Sequence, residues 1–314
     1  MNRSIMKVIV VLVAICLFGG LAVYRGDSAE GDYSDIKIGV TLLSIAEMPF
    51  FQIVQSGIEA GAAKYPGMKV TVLDGQADSS VQFDQVQNFI AQGYTAIFDA
   101  PVDANSTTTT VDLAKKEGIP FFFLNTHGKG DADCVIATDD ILGGNLAADY
   151  ANKHLNGKGN VALLCWPELG NTNNRGIGFE EGLKKYPGLK LVDKQSYLGD
   201  ANKAASLAED MLTKNPDIDL IFCVGEPSAL AAVEVIKAMG SDCVVIGYDG
   251  NPEAIVGIKE SPKIWIADIA QDPKGQGEMA VDLLVKLKKG EKIEKEKLVQ
   301  PYILDLEYIK SKNL

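Results

Sequence analysis

With 314 residues, 46% hydrophobic and 23% charged, the chain is long enough for about two domains and a sizeable core, an ordinary composition for a soluble globular protein. Its net charge is −12 and no block of Lys or Arg occurs, which excludes a nucleic-acid footprint. The acidity bears on solubility and says nothing about fold.

At the N-terminus Arg3 and Lys7 precede an apolar run from Val8 to Phe18, the length of a signal-peptide core. Cleavage is expected at Gly20-Leu21-Ala22 or Asp27-Ser28-Ala29, which makes residues 1–29 an export segment and places the mature chain in the periplasm or at the cell surface. The apolar stretch extended to Val23 falls short of the roughly 20 residues a spanning helix needs, so an uncleaved anchor is the lesser alternative. Ile15, not a small residue, precedes Cys16, which argues against lipidation there.

From Ile36 the chain alternates. The strand Ile36–Leu42 leads into helical spacing at Phe50, Ile53, Val54, Ile58 and Ala62, stopped by Pro66-Gly67. Val70–Asp74, a helix from Val81 to Gln92, Ala96–Asp99, a helix near 105–116 and Ile119–Leu124 follow. The pattern then restarts, with Asp139-Asp140 read as the cap of a helix reaching about His154, and Asn160–Leu164 as a strand. Helices near 174–186 and 201–214 flank Leu189–Val192. Asp219–Phe222, a helix Ser228–Met239 and Cys243–Gly247 complete the second series. Ile264–Gln271, a helix from about Lys274 to Lys289 and Leu298–Leu304 close the chain. Strand–helix alternation predicts parallel, doubly wound sheets: an α/β protein of two similar units with no Gly/Ser/Pro linker between them.

In an open α/β sheet the ligand meets the carboxyl ends of the strands. Val245–Tyr248 ends there in Asp249-Gly250, Val40-Thr41-Leu42 leads into Met48-Pro49-Phe50-Phe51, and the Phe121–Leu124 run leads into Asn125-Thr126. Aromatic faces, amides and a carboxylate at three such ends suit a small polyhydroxylated ligand. Each has a plainer reading. Phe50 and Phe51 serve equally as core, and Asp249 as the cap of an Asp-Gly turn. Trp166 is a sugar platform or, before Pro167, a loop wall. Cys134, Cys165, Cys223 and Cys243 sit in or beside apolar runs and read as buried thiols, with a Cys223–Cys243 bridge the alternative. The glycines of Gly176-Ile-Gly178 open inside a helix, not after a strand, and read as close-packing positions rather than a dinucleotide loop. His127 and His154 have no metal-spaced partners, and neither a Walker A loop nor a Ser/His/Asp order nor a nucleophile elbow occurs. No cofactor, metal or catalysis is expected.

Six segments in order carry a resemblance: Pro49-Phe50-Phe51, Ile119-Pro120, Thr138-Asp139-Asp140 with Gly143-Gly144, Arg175-Gly-Ile-Gly178-Phe179, Ile246-Gly-Tyr-Asp249-Gly250, and Ile269-Ala-Gln271. Together they resemble a type I periplasmic substrate-binding protein of the ribose/galactose-binding class, over about Ile36 to Tyr302. The resemblance implies two Rossmann-like lobes joined by three hinge crossovers near 138–139, 271–272 and 298–300. The lobes are then 30–138 plus 272–298 and 139–271 plus 299–314. It implies a monomer that closes on its solute and presents it to an ABC permease, or alternatively to a chemoreceptor or sensor kinase.

Carried over by position, Phe50 and Phe51 match the stacking aromatics, and Asp249 and Gln271 match outright. Asn125 stands where ribose binders have Asp, Thr126 and Asn173 where they have Arg, and Gly225-Glu226 where they have Asn-Asp. Gly199 replaces an aromatic, and Met48, beside Glu47, replaces a polar residue. Arg175 matches a second family arginine outside the sugar contacts, and Asn173 is either a ligand group or a helix cap. The lost arginines argue against ribose and against an anionic sugar. The expected site (Glu47, Met48, Phe50, Phe51, Asn125, Thr126, Trp166, Asn173, Glu226, Asp249, Gln271) has carboxylates and no evident cation, which suits a neutral sugar or polyol, or an amine-bearing ligand. Asp249 is expected to serve the ligand without supporting the ligand-free fold.

Overall fold

The apolar runs expected to be strands are strands in the computed structural model, which describes residues 31–314, except that Leu298–Leu304 is split at Gln300-Pro301 into two strands of different sheets; the expected export segment lies outside the described residues. The first series is β1 (Lys37–Leu42), α1 (Pro49–Ala63), β2 (Lys69–Asp74), α2 (Ser79–Ala91), β3 (Ala96–Ala100), α3 (Thr108–Lys116), β4 (Phe121–Asn125) and β5 (Cys134–Thr138). The second is α4 (Asp140–His154), β6 (Gly159–Cys165), α5 (Gly170–Leu183), β7 (Leu189–Ser196), α6 (Ala201–Lys214), β8 (Leu220–Cys223), α7 (Glu226–Met239), β9 (Val244–Asp249), α8 (Pro252–Glu260) and β10 (Trp265–Ala270). Last come α9 (Pro273–Lys288), β11 (Glu296–Val299), β12 (Tyr302–Asp305) and α10 (Leu306–Lys312). Among the described residues no helix is long and apolar enough to cross a membrane.

These strands form two six-stranded sheets, ordered β11-β5-β4-β3-β1-β2 and β12-β10-β9-β8-β6-β7. All neighbours pair in parallel except β12, which runs antiparallel to β10. This is the doubly wound α/β fold expected from the sequence. In each sheet the order reverses beside the first strand, between β1 and β3 and between β6 and β8, and a doubly wound sheet opens its crevice at such a switch point. The chain passes from one sheet to the other three times: after Thr138, between Ala270 and Pro273, and between Val299 and Tyr302.

The core follows from the two-residue strand period. Within β4, Phe122 stacks on Phe98 at 5.3 Å on the face shared with Val40, Phe51 and Val281. Phe121 and Phe123 turn to the other face, with Val86, Phe89 and Val111. A strand buried on both faces needs such an unbroken apolar run. The four cysteines of the described chain are buried and free. The β8–β9 register sets Leu220 against Val244, so Cys223 lies four residues along from the level of Cys243, about 13 Å at 3.3 Å per residue and beyond disulfide reach.

Of the glycines read as close-packing positions, Gly178 does bring α4 and α5 together, with Gly144 opposite it, whereas a Cβ on Gly176 would meet Leu163 only at 3.7 Å, an ordinary contact. A Cβ on Gly144 would lie 2.1 Å from the Arg175 carbonyl oxygen, and one on Gly178 2.2 Å from that of Ile141. The Asp139-Asp140 pair divides its duties. Asp139 caps α4 by accepting from the Leu142 N–H, whereas Asp140 is buried and turned toward α5.

One buried acid lies outside the crevice. Asp99, at the end of β3, is 2% exposed, and Gln82 Nε2 donates to it from 3.5 Å. Burial pushes its carboxyl up to about 8. Unfolded Asp titrates near ~3.9, so the stability this group contributes is whole below that pH and is lost as pH climbs toward the folded value. Asp99→Asn should therefore raise the melting temperature at about pH 8 and leave it nearly unchanged at about pH 4. Equal shifts at both pH values would show that Asp99 is ionised in the folded protein.

Candidate functional site

The carboxyl ends of the two sheets face each other across a cleft of about 500 Å³. Its first wall is the segment between β1 and α1. Pro49 opens α1, fixing the chain direction so that Phe50 and Phe51 fall in the first turn. Their rings meet edge to face at 5.3 Å and both are at least nine-tenths buried, so each belongs to the core and also lines the cleft. Met48 and Glu47 border the same wall, Glu47 on the exposed rim. Asn125 and Thr126 complete it from the tip of β4, where Asn125 adopts φ 64°, a left-handed conformation that Asn tolerates better than most residues.

The opposite wall is aromatic too. Trp166 follows β6 and lies 5.9 Å from the ring of Tyr197, which follows β7. Gly199 adopts φ +77°, and a Cβ there would stand 2.7 Å from the Trp166 ring. Trp166 and Tyr197 thus supply the aromatic rings of this wall, and the glycine at 199 leaves the room that the indole occupies. The sequence reading missed Tyr197 because it ended this strand at Val192; β7 runs on to Ser196, which puts Tyr197 just beyond its carboxyl end.

Of the expected site residues, all but Asn173 line the cleft. Helix α5 begins at Gly170, earlier than its composition suggested, and Leu169 occupies the cap position. Asn171, Thr172 and Arg175 face the cleft, and Asn173, about 100° per residue further round the helix, turns away. It is therefore neither the cap nor a cleft residue.

Arg175 corrects a second expectation, because a cation does stand in the site. It is 3% exposed, and its Nε donates to Asp140 Oδ1 at 2.9 Å. Nη1 donates to the Val224 carbonyl at 2.8 Å and to Asp249 Oδ1 at 2.9 Å, and the guanidinium lies 3.9 Å over the Tyr248 ring. Burial would lower its pKa; Asp140 and Asp249 more than reverse this and keep it charged.

Asp249 holds φ 123° at the end of β9, an uncommon conformation outside glycine. Its Oδ1 accepts from Arg175 and, at 2.7 Å, from Gln271 Nε2, while Oδ2 accepts from the Glu226 N–H at 3.4 Å. Gln271, in the second crossover, links the sheets. Its Oε1 accepts from Thr138 Oγ1 at 2.5 Å, and at 3.5 Å from Asn125, while Gln276 of α9 donates to the same Thr138 hydroxyl. Two crossovers and both strand tips thus share one hydrogen-bonded chain.

Glu226 begins α7 and is 4% exposed. Its oxygens accept from the Asn251 N–H and side-chain amide, both at 2.6 Å. Burial, then the charge of Asp249, push its carboxyl up to about 8. Behind it Asp268 is fully buried, and burial followed by Glu226 and Asp249 holds its carboxyl well above the usual range.

Comparison with known proteins bears on what such a cleft does. Residues 38–292 match the periplasmic binding protein domain. The ribose import binding protein of Bacillus subtilis is 33% identical over 270 residues, 85% of this chain and 87% of that protein. A periplasmic solute binding protein of an ABC transporter from Actinobacillus succinogenes, solved with bound D-allose, superposes with a TM-score of 0.81 at 27% identity, covering 89% of this chain and 100% of that one. A myo-inositol complex from Bacillus halodurans gives 0.79 at 28% identity, covering 90% and 98%.

Proposed function

This chain belongs to the periplasmic binding protein domain family, and on that premise we propose that it captures a small sugar or polyol between its lobes and delivers it to an ABC permease. The observation that carries the reading is the pairing of two aromatic walls, Phe50/Phe51 and Trp166/Tyr197, around a polar edge of Asn125, Glu226, Asp249 and Gln271. Sugar C–H faces pack on aromatic rings, while each buried hydroxyl needs a partner or costs about 1–3 kcal/mol. Planar amide and carboxylate groups satisfy two hydroxyls each.

Binding does no chemistry here; it shifts a population. A solute that touches both walls interacts more strongly with the closed arrangement than with an open one, and only that difference drives closure. The hinge is suited to the task. Each of the three crossovers is short, and Gln271 with Thr138 passes any change at Asp249 directly to both crossovers they occupy. The closed lobes then present a joint surface to the permease.

A thermal-shift screen of the chain from about residue 30 tests this with pentoses, hexoses, cyclitols, amino sugars, nucleosides and amino acids. Ligand at a hundred times its dissociation constant should add roughly 2.7 kcal/mol of stability, a shift of a few degrees for a protein of this size. Hits confined to nucleosides or amino acids would sink the sugar or polyol reading.

A further inference from the structure

The charged side chains that line the cleft are Glu47, Glu226, Asp249, Glu253 and one cation, Arg175; the phenol of Tyr197 also lines it. Arg175 lies between Asp140 and Asp249, its Nε and Nη1 bonded to these two carboxylates and to the Val224 carbonyl. Glu226 is left with neutral donors alone, both from Asn251. The charged groups around Glu226 are Asp249 of β9, Asp268 of β10 and Glu253 of α8, with Arg175 of α5 beyond Asp249. A separate observation points the same way. Asn251, 7% exposed and lining the cleft, has its Oδ1 buried without a donor. Around Glu226 and Asn251 the wall sets carboxyl groups and an unpartnered amide oxygen against a single cation, Arg175. A neutral polyol brings acceptors and donors together and leaves the charge imbalance as it was. An ammonium brings three donors, no acceptor and one positive charge.

Granted the solute-binding reading above, we infer that the solute carries a protonated amine, as in an amino sugar or aminocyclitol, with the ammonium seated against Glu226. In the ligand-free protein the Glu226 carboxyl, pushed up to about 8 by burial and Asp249, holds its proton near neutral pH. An arriving ammonium favours the ionised carboxylate, so that proton leaves to solvent as the pair forms. Affinity therefore rises with pH up to about 8 while the amine stays charged, because the form that binds grows more abundant. A neutral sugar would bind with no such proton release.

Titration calorimetry on the mature chain with matched probes tests this: glucosamine against glucose, galactosamine against galactose, and an inosamine against myo-inositol, at about pH 5.5 and about pH 7. At least one aminated member should bind roughly tenfold or more tightly than its hydroxyl partner, as charge-assisted hydrogen bonds outweigh neutral ones. Its affinity should be higher at the upper pH, and buffers of different ionisation enthalpy should register one proton released. Glu226→Gln keeps the shape of the protonated acid, and should keep the fold and lose the preference for the amine. A hydroxyl member that binds as tightly as its aminated partner overturns the inference and leaves the solute-binding reading intact. Binding by no member of any pair at millimolar concentration overturns the inference, while the wider thermal-shift panel decides the carbohydrate reading separately. The wild-type comparison stands whether or not the variant folds.

Discussion

Asp249→Ala should abolish solute binding and also lower the stability of the ligand-free protein by about 2–4 kcal/mol, because it unpairs a buried charge. The sequence reading expected the second effect to be absent. The structure gives Asp249 a structural duty: its Oδ1 holds Nη1 of Arg175, a residue 3% exposed, and the Nε2 of Gln271 in the crossover. Its removal leaves Arg175 with Asp140 as its one carboxylate and strips a buried amide of its acceptor. Breaking one side of a buried pair costs more than the pair is worth, since the remaining charge cannot be rehydrated. Asp140 stays in place, which keeps the expected loss below that of an orphaned guanidinium. Urea denaturation of the ligand-free variant measures the cost, and calorimetry with whichever solute the screen finds measures binding. A variant that melts within about 1 °C of the parent would mean that Asp140 alone satisfies Arg175, and would return Asp249 to a purely ligand-directed role.

Gly144→Ala should destabilise the protein by about 3 kcal/mol or more, the upper range for overpacking, and weaken binding although position 144 does not line the cleft. A methyl there would lie 2.1 Å from the Arg175 carbonyl oxygen, and a backbone oxygen cannot rotate away as a side-chain end can. Helix α5 must move off α4, and it carries Arg175, Asn171 and Thr172 with it. The binding loss should therefore follow the packing loss. Chemical denaturation and solute titration on the same preparation check both. Unchanged binding in a destabilised variant would show that the cleft wall does not depend on where α5 packs.

Much of the fold could be read from local pattern. Alternating runs such as Phe121–Leu124 and the helical spacing from Phe50 to Ala62 are decided by burial on two faces or on one, and that shows in the residues themselves. The strand-end rule brought attention to Phe50, Asn125 and Asp249, and the cleft does form from those tips. Asn173 went astray because helical phase decides which of three neighbouring polar residues faces inward, and α5 begins at Gly170 rather than near 174. Arg175 was set outside the site because it matches a family arginine outside the sugar contacts, and the partners that place it in the cleft lie 35 residues before it and 74 after it. Nothing local marks such a pairing.

By itself the sequence determined the doubly wound α/β class, the strand tips that meet at the cleft, the aromatic residues of its first wall and the burial of its cysteines. All of these depend on periodicity and on the chemistry of single residues in their immediate neighbourhood. Only the tertiary structure decided the electrostatics of the site and its second wall: Arg175 bound up between two carboxylates, Glu226 left to neutral donors, and Trp166 with Tyr197 supplying the aromatic rings of that wall. Charge balance and cavity shape depend on which distant groups come within a few ångströms of one another in a water-poor crevice, where the same carboxylate is worth far more, or costs far more, than it does on an open chain.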